Sequence, residues 1–236
     1  FFAMNHYSIL IPIHNEVDYV PTLLTSLRKY YEQGHQVIII DDGSNDDTTS
    51  ILKGCDFIKL IIINENKGKG NAIKQGLKYS INERIIIFDG DMEIHPSEIS
   101  KLMILESHNN VRLVIGYRFE SLAPLKSEFD WGNFMFTSFY NIIFNSNHKD
   151  ILCSSKAFYK VDLIGYDIIS NKFDIDSELS IILSIVNKKQ KILQVKLDYK
   201  RRTAEEGKKL KVADGWSILS RIMKMIKHLL VLFVTQ

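Results

Sequence analysis

The stretch Arg84-Ile85-Ile86-Ile87-Phe88-Asp89-Gly90-Asp91-Met92-Glu93 decides how this chain reads. It begins as a short apolar run, the pattern of a strand covered on both faces. It ends in two carboxylates around a glycine, with a third two residues further on. Clustered carboxylates repel one another and desolvate badly, so stability alone does not place them after a buried strand. In open α/β sheets, ligands bind beyond the carboxyl ends of the strands. A hard divalent cation, magnesium or manganese, takes carboxylate oxygens by preference and would neutralise Asp89, Asp91 and Glu93. Held there, it would in turn hold a diphosphate. Gly90 lets the backbone turn and a ligand come close. A solvated turn after a strand is the competing reading of the same residues.

The preceding residues supply companions for that strand. Tyr7 to Ile11 reads as a buried strand that ends at Pro12, with Pro12–Glu16 a loop. Asp18 is positioned to cap a helix carrying Val20, Leu23, Leu24 and Leu27, with Pro21 in its first turn and Gly34 as its stop. Gln36 to Ile40 is a second strand and runs into Asp41-Asp42-Gly43-Ser44-Asn45-Asp46-Asp47-Thr48. Acidic groups there can accept hydrogen bonds from a base or ribose, while Asp46 or Asp47 caps the next helix. Ile58 to Ile63 is a third strand. Asn66-Lys67-Gly68-Lys69-Gly70-Asn71-Ala72 then opens a helix running to about Ser80. A glycine-rich, lysine-bearing loop at a helix start suits phosphate. After the acidic cluster, His95-Pro96-Ser97 leads into a helix with Ile99, Leu102, Met103 and Leu105. Strands alternating with helices predict an α/β fold with a doubly wound, mostly parallel sheet. The loops at 12–16, 41–47, 64–71 and 89–93 then gather at its carboxyl edge, as a nucleotide-diphosphate site requires.

From Arg112 the style changes. Val114 to Arg118 is a further strand ending in an arginine, and Leu122 to Asp130 is irregular. Trp131 to Phe144 reads as an aromatic-rich helix, either core or the lining of an apolar acceptor groove. Phe173-Asp174-Ile175-Asp176-Ser177-Glu178 is a second acidic cluster, entering the apolar helix Leu179–Val186. Ile192 to Tyr199 alternates as a strand. Lys200 to Lys211 holds six Lys/Arg, either a solvated basic loop or a lid whose cations close over phosphate. Asp214 to Val234 reads as a basic amphipathic helix, compatible with lying on a membrane surface or packing on a partner. The 236 residues are 45% hydrophobic and 25% charged with a net charge of +2. That suits one large α/β domain and gives no nucleic-acid footprint. The two cysteines, Cys55 and Cys153, form no spaced pair, which fits a reducing compartment. No apolar run reaches the length of a bilayer span.

These motifs, in this order, resemble the family-two glycosyltransferases with the GT-A fold, nearest to the polyprenyl- or dolichol-phosphate sugar transferases. The resemblance runs through Ile11-Pro12-x-x-Asn15-Glu16, Asp41-Asp42-Gly43-Ser44-x-Asp46-x-Thr48, Asn66-x-Gly68-Lys69-Gly70-x-Ala72 and Asp89-Gly90-Asp91-x-Glu93-x-His95-Pro96. Gly116-Tyr117-Arg118, Lys156-Ala157-Phe158 and Glu206-Gly207-Lys208-Lys209 match more loosely. It implies a Rossmann-like domain over residues 4–213, with a nucleotide-sugar half (4–110) and an acceptor half (111–213), followed by a helix over 214–236. Asp89 and Asp91 would bind the metal and donor diphosphate. Pro12, Asn15, Glu16, Asp41 and Asp42 would face the nucleotide, Lys69 would approach the donor, Arg202 its diphosphate, and Arg118 the acceptor phosphate. The related lipid-phosphate transferases often carry Gln at the position of Glu93, and Ser154-Ser155 departs from their usual glycine or aromatic residue.

The expected reaction is inverting sugar transfer from a UDP- or GDP-sugar. A lipid-phosphate acceptor is already ionised and needs positioning. A hydroxyl acceptor, as in a cell-envelope glycan, needs a general base, for which Asp150, Asp176 and Glu178 are the candidates. The expected location is cytoplasmic and peripheral on the inner face of the membrane. A sugar nucleotidyltransferase normally needs a glycine-rich signature near the first strand, where this chain has Ile11-Pro12-Ile13-His14-Asn15-Glu16. A catalytically inactive binding module is the non-enzyme alternative, and Asp89, Asp91 and Arg202 argue against it.

Overall fold

Apolar side chains point to both faces of the first strands, and each face has its own cover. Ile9, Ile11, Ile39, Ile86 and Phe88 pack in one core cluster, whereas Leu10, Ile38, Ile40, Ile85 and Ile87 pack in another. The period of two along each strand sets this division. The computed structural model describes residues 6–119 and 128–203, with 219–221 and 223–224. Among them lie strands β1 (Tyr7–Ile13), β2 (Gln36–Asp42), β3 (Lys59–Ile63), β4 (Arg84–Ile87), β5 (Val111–Tyr117), β6 (Lys156–Tyr159) and β7 (Lys191–Lys196). The α-helices are α1 (Val20–Glu32), α2 (Thr48–Lys53), α3 (Lys69–Tyr79), α4 (Ile99–Leu102), α5 (Glu128–Phe144) and α6 (Ile175–Val186).

The strands form one sheet in the order β3-β2-β1-β4-β6-β5-β7. β1 to β4 pair in parallel, and only β6 runs against its neighbours β4 and β5. This is the mostly parallel, helix-flanked α/β sheet that the sequence predicts. The reversal of β6 has a local result. Lys156 pairs with both Ile87 and Ile115, so the residues before β6 lie at the edge where β4 and β5 end. A third core cluster, Phe136, Tyr140, Ile151 and Ile181, joins α5 to α6, and Leu219 packs against it.

Several local readings need correction. Pro12 does not end β1, which runs on to Ile13 with Pro12 in register with Ile40. Pairing with β4 stops at Leu10, so the missing proline N–H lies where no neighbour would use it. Asp18 does not cap α1; the residue there is Tyr19, with no side-chain cap. Asp46 braces the start instead, accepting the Val17 N–H at 3.2 Å and the Thr48 N–H at 3.0 Å. The helix expected through Leu105 breaks into a 3₁₀ turn, Pro96–Glu98, and the single turn of α4. Leu105 instead donates its N–H to the Tyr7 hydroxyl at 3.2 Å. β7 ends at Lys196, and Tyr199 makes only an isolated bridge with Ile94. The irregular reading of 122–130 falls largely outside the described residues, as do Glu206-Gly207-Lys208-Lys209 and most of the 214–234 helix. No helix of the described residues is long and apolar enough to cross a membrane.

Two stability tests follow from this packing. A Cβ on Gly76 of α3 would lie 2.9 Å from Ile40 Cδ1 and 3.0 Å from Leu10 Cδ2. Gly76→Val overpacks that contact and is expected to cost about 1–3 kcal/mol in urea denaturation. His148 is buried beside Ser184 and Tyr140, and burial, aided by Lys156, lowers its pKa to about 4. The unfolded state therefore binds the extra proton first, and stability falls as pH drops from about 6.5 toward 4. His148→Gln should flatten that part of the stability profile, read by thermal melts across the range.

Candidate active site

The parallel strands deliver their carboxyl ends to one edge, and the loops there are braced by their own carboxylates. Asp42, the last residue of β2, accepts the N–H groups of Lys67 at 3.0 Å and Gly68 at 2.7 Å. It thereby pins the loop that opens α3. Gly68 has φ +94° and a Cβ there would lie 2.4 Å from the Asn171 carbonyl oxygen, so only glycine fits. Asp41 accepts the Ser44 N–H at 3.0 Å and the Thr49 hydroxyl. Both aspartates are buried and hold their loops in shape. Asn15, at φ +50°, donates its N–H to Ser44 Oγ and accepts the Asn45 N–H. Pro12 is buried within β1.

At the centre, Lys69 begins α3 and reaches two carboxylates from distant parts of the chain. Its Nζ lies 2.8 Å from Asp89 Oδ1 and 2.9 Å from Asp176 Oδ2. Burial alone would lower the ammonium pKa, but Asp176 and Asp89 hold it well above its ordinary value. Ser154 donates its hydroxyl to Asp89 Oδ1 at 3.0 Å. Gly90 admits no side chain, since a Cβ would lie 2.6 Å from Ile13 Cγ2. Burial, with Asp89 and Glu93 nearby, pushes the Asp91 carboxyl up to about 7. Met92 follows at φ +62°, a left-handed conformation that costs a side-chain-bearing residue on the order of 1–3 kcal/mol. This turn lets the Glu93 N–H reach Asp91 Oδ1 at 3.0 Å.

Asp89 and Asp91 suit a hard cation: they supply oxygen donors, and their mutual repulsion would be relieved by it. Among the described residues, no three His, Cys, Asp or Glu side chains converge as a metal-binding group. The residues thus fit an ion that takes one or two carboxylates and completes its coordination from phosphate and water. Arg202 approaches from the chain after β7. Its NH1 donates to Glu16 Oε2 at 2.8 Å and to the Asp91 carbonyl at 3.1 Å, and the guanidinium lies 4.4 Å over the Tyr19 ring.

On the other side, Arg118 follows β5. Its Nε and NH2 donate to the two oxygens of Asp150 at 2.8 and 3.0 Å, and Asn133 of α5 adds a bond to Asp150 at 2.9 Å. Burial would raise the Asp150 carboxyl, but Arg118 and these bonds hold it below its usual range. Glu178 faces away from this group and accepts the N–H groups of Ile169 and Ser170. Asp176 keeps one buried oxygen, Oδ1, with no hydrogen-bond partner among the described residues. The structure therefore brings Lys69, Asp89 and Asp176 together with Ser154, places Arg118 on Asp150, and sets Glu178 apart. Tyr19, Asn133 and Ser154 were not among the expected site residues. Ser154 stood out only as a departure from the related transferases' usual residues, and Asn133 as one of the few polar residues in the charge-free run Trp131–Phe144.

Comparison with known proteins gives the family and the fold. A family model described as glycosyl transferase family 2 matches residues 8–164. An undecaprenyl-phosphate 4-deoxy-4-formamido-L-arabinose transferase of Yersinia pestis (strain Pestoides F) is 33% identical over 125 residues, covering 49% of this chain and 38% of that protein. Its namesake in Enterobacter sp. (strain 638) is 28% identical over 109 residues, covering 43% and 33%. The matched segment thus spans only about a third of the length of these curated relatives. A crystal structure of Mycobacterium tuberculosis glucosyl-3-phosphoglycerate synthase with Mn2+, UDP and glucosyl-3-phosphoglycerate shares the fold. Its TM-score is 0.71 at 16% identity, covering 93% of this chain and 79% of that one.

The Asp150–Arg118 pair yields a direct test. Asp150→Ala leaves the half-buried guanidinium without its counter-ion and should cost up to about 3 kcal/mol. Asp150→Asn keeps the shape and one acceptor and should cost less, both read from urea denaturation midpoints.

Proposed function

The chain belongs to glycosyl transferase family 2, and on that premise we propose that it moves a sugar from a UDP- or GDP-linked donor to a polyprenyl phosphate. The observation that carries this reading is Arg118, paired with Asp150 in the same loop whose Ser154 holds Asp89. Asp150 and Asn133 hold Arg118 where an anionic acceptor would arrive. Asp150 is kept ionised by that arginine, and Glu178 is engaged by backbone N–H groups, so neither is set to take a proton. A lipid phosphate needs none taken: it is ionised already and requires only placement. The relatives named as undecaprenyl-phosphate transferases support an acceptor of that class.

In the proposed reaction, an acceptor phosphate oxygen forms a bond to the anomeric carbon while the bond from that carbon to the diphosphate breaks. Attack from the opposite face inverts the centre. Negative charge grows on the departing diphosphate, where Lys69 and Arg202 supply cations that are already in place. Asp89 and Asp91 would hold magnesium or manganese, which screens that charge when bound. The fold neighbour's complex with Mn2+ and UDP supports such a donor site. Glu16, Asn15, Asp41 and Asp42 shape the loops around the nucleotide. The lipid acceptor places the enzyme at the cytoplasmic membrane face, with the residues from 214 onward as its contact with the membrane or a membrane partner.

One observation favours a second reading. Asp176 Oδ1 is buried without a hydrogen-bond partner among the described residues, and a carboxylate so placed could serve as base toward a sugar hydroxyl. A glycan acceptor would then replace the lipid phosphate.

Donor and acceptor are tested separately. UDP or GDP with manganese should raise the melting temperature by mass action, and one base should do so more than the other. Asp91→Ala should abolish sugar transfer without loss of fold by circular dichroism. Metal-dependent transfer surviving in Asp91→Ala would place the metal elsewhere. Asp176→Asn should leave transfer to polyprenyl phosphate largely intact on the first reading and remove transfer to a glycan on the second.

A further inference from the structure

We propose that Glu178 is a positioning residue for the donor diphosphate: it folds the segment before α6 onto the glycine loop that opens α3, and so fixes where Lys69 stands. The proposal rests on the donor reading given above and deepens it, because Lys69 is a cation that would meet the leaving group.

Glu178 lies in the first turn of α6 and is 2% exposed. Its Oε1 accepts the Ile169 N–H at 3.1 Å, and its Oε2 accepts the Ser170 N–H at 2.7 Å. Both carboxylate oxygens are thus turned back on the chain that precedes the helix. That chain in turn meets the start of α3. The Asn171 carbonyl accepts the Asn71 N–H at 3.1 Å, and Lys74 Nζ donates to Asn171 Oδ1 at 2.6 Å. A Cβ on Gly70 would lie 2.5 Å from the Ser170 carbonyl oxygen and 2.9 Å from Asn171 Cα, so the two backbones meet with no room for a side chain. From β2, Asp42 holds the N–H groups of Lys67 and Gly68 in the same loop. The glycine loop is therefore clamped between a carboxylate of β2 and a segment that Glu178 holds. Lys69 sits within this clamp and reaches Asp89 and Asp176. One turn of α6 supplies both a partner for Lys69, Asp176, and the anchor of the segment that seats it, Glu178.

A carboxylate offers each of the two N–H groups its own oxygen, whereas a carboxamide offers one oxygen and an NH2 group. Glu178→Ala should speed amide exchange about tenfold or more at Ile169 and Ser170, and also at Asn71, whose bond is to the segment. Affinity for UDP or GDP with manganese should fall about fivefold or more as Lys69 loses its seat. Gly70→Ala pushes on the Ser170 carbonyl and should weaken nucleotide binding by a similar factor in the wild-type chain. In the Glu178→Ala background the segment is already loose, and the further loss should be under about twofold. Glu178→Gln should fall between wild type and Glu178→Ala in exchange and affinity, and it gives the same readings if Glu178→Ala does not fold. Additive losses from Glu178→Ala and Gly70→Ala overturn the proposal, as does unchanged exchange at Asn71. Sugar transfer lost with nucleotide affinity and exchange intact would make Glu178 a base and equally overturn it. If the wild-type chain binds neither UDP nor GDP with manganese, the donor reading fails. Exchange at Asn71 and the coupling of the two substitutions in urea denaturation then still decide whether Glu178 holds the glycine loop.

Discussion

The contact on which the rest depends is a largely desolvated ammonium held between two carboxylates. Lys69 opens α3, Asp89 follows β4, and Asp176 lies in the first turn of α6. Taking these charges out of water is costly, and the attraction offsets the cost only when the geometry is good and other partners are present. Ser154 supplies one such partner for Asp89. Four segments from across the sequence are thereby fixed relative to one another. The group nevertheless carries two carboxylates against one ammonium, with Asp91 and Glu93 close behind. A diphosphate would meet net negative charge at this centre, so a cation that bridges carboxylate and phosphate follows from the electrostatics of the proposed site.

The two sides of the edge use charge differently. On the side of β1 to β3, Asp41, Asp42 and Asp46 hold backbone N–H groups and so define loop shape. On the side of β5, Asp150 holds a guanidinium and so defines where a positive group stands. The first arrangement shapes a cradle and the second aims a charge. Buried Lys156 donates to the carbonyls of Cys153 and Asp176 at 2.6 and 3.4 Å, tying the loop before β6 to the start of α6.

Much of this was legible in the sequence because local physics determined it. The run Ile85-Ile86-Ile87 read as a strand covered on both faces, and the carboxylates after it lie at the carboxyl edge of the sheet. Helix starts at Lys69 and near Asp176 were marked by glycines and acidic residues. What stayed hidden depends on distance in the chain. That Glu178 faces backbone N–H groups while Asp176, two residues earlier, meets Lys69 is set by how α6 lies on the sheet. That Asp150 pairs with Arg118 depends on β5 and the loop before β6 reaching the same edge. Pro12 misled because a proline usually marks a strand's end, and here only the neighbouring strand had ended. The aspartates at 41 and 42 were expected to face a nucleotide, while their part as loop braces came only with the fold.

The reversal of β6 also bears on how the chain is made. β4 is flanked by β1 on one side and β6 on the other, and β6 emerges from the ribosome only after β5 and α5 have passed. The sheet β3-β2-β1-β4 can assemble from contacts between successive segments, the kind that form early. Its β4 edge then stays unpaired while residues 88 to 155 are synthesised, on the order of several seconds at about 5–20 residues per second. That edge is the apolar run Arg84–Ile87, an open template for another chain. Within the described residues, β1 to β4 can thus pair before β6 is available to cover the edge of β4.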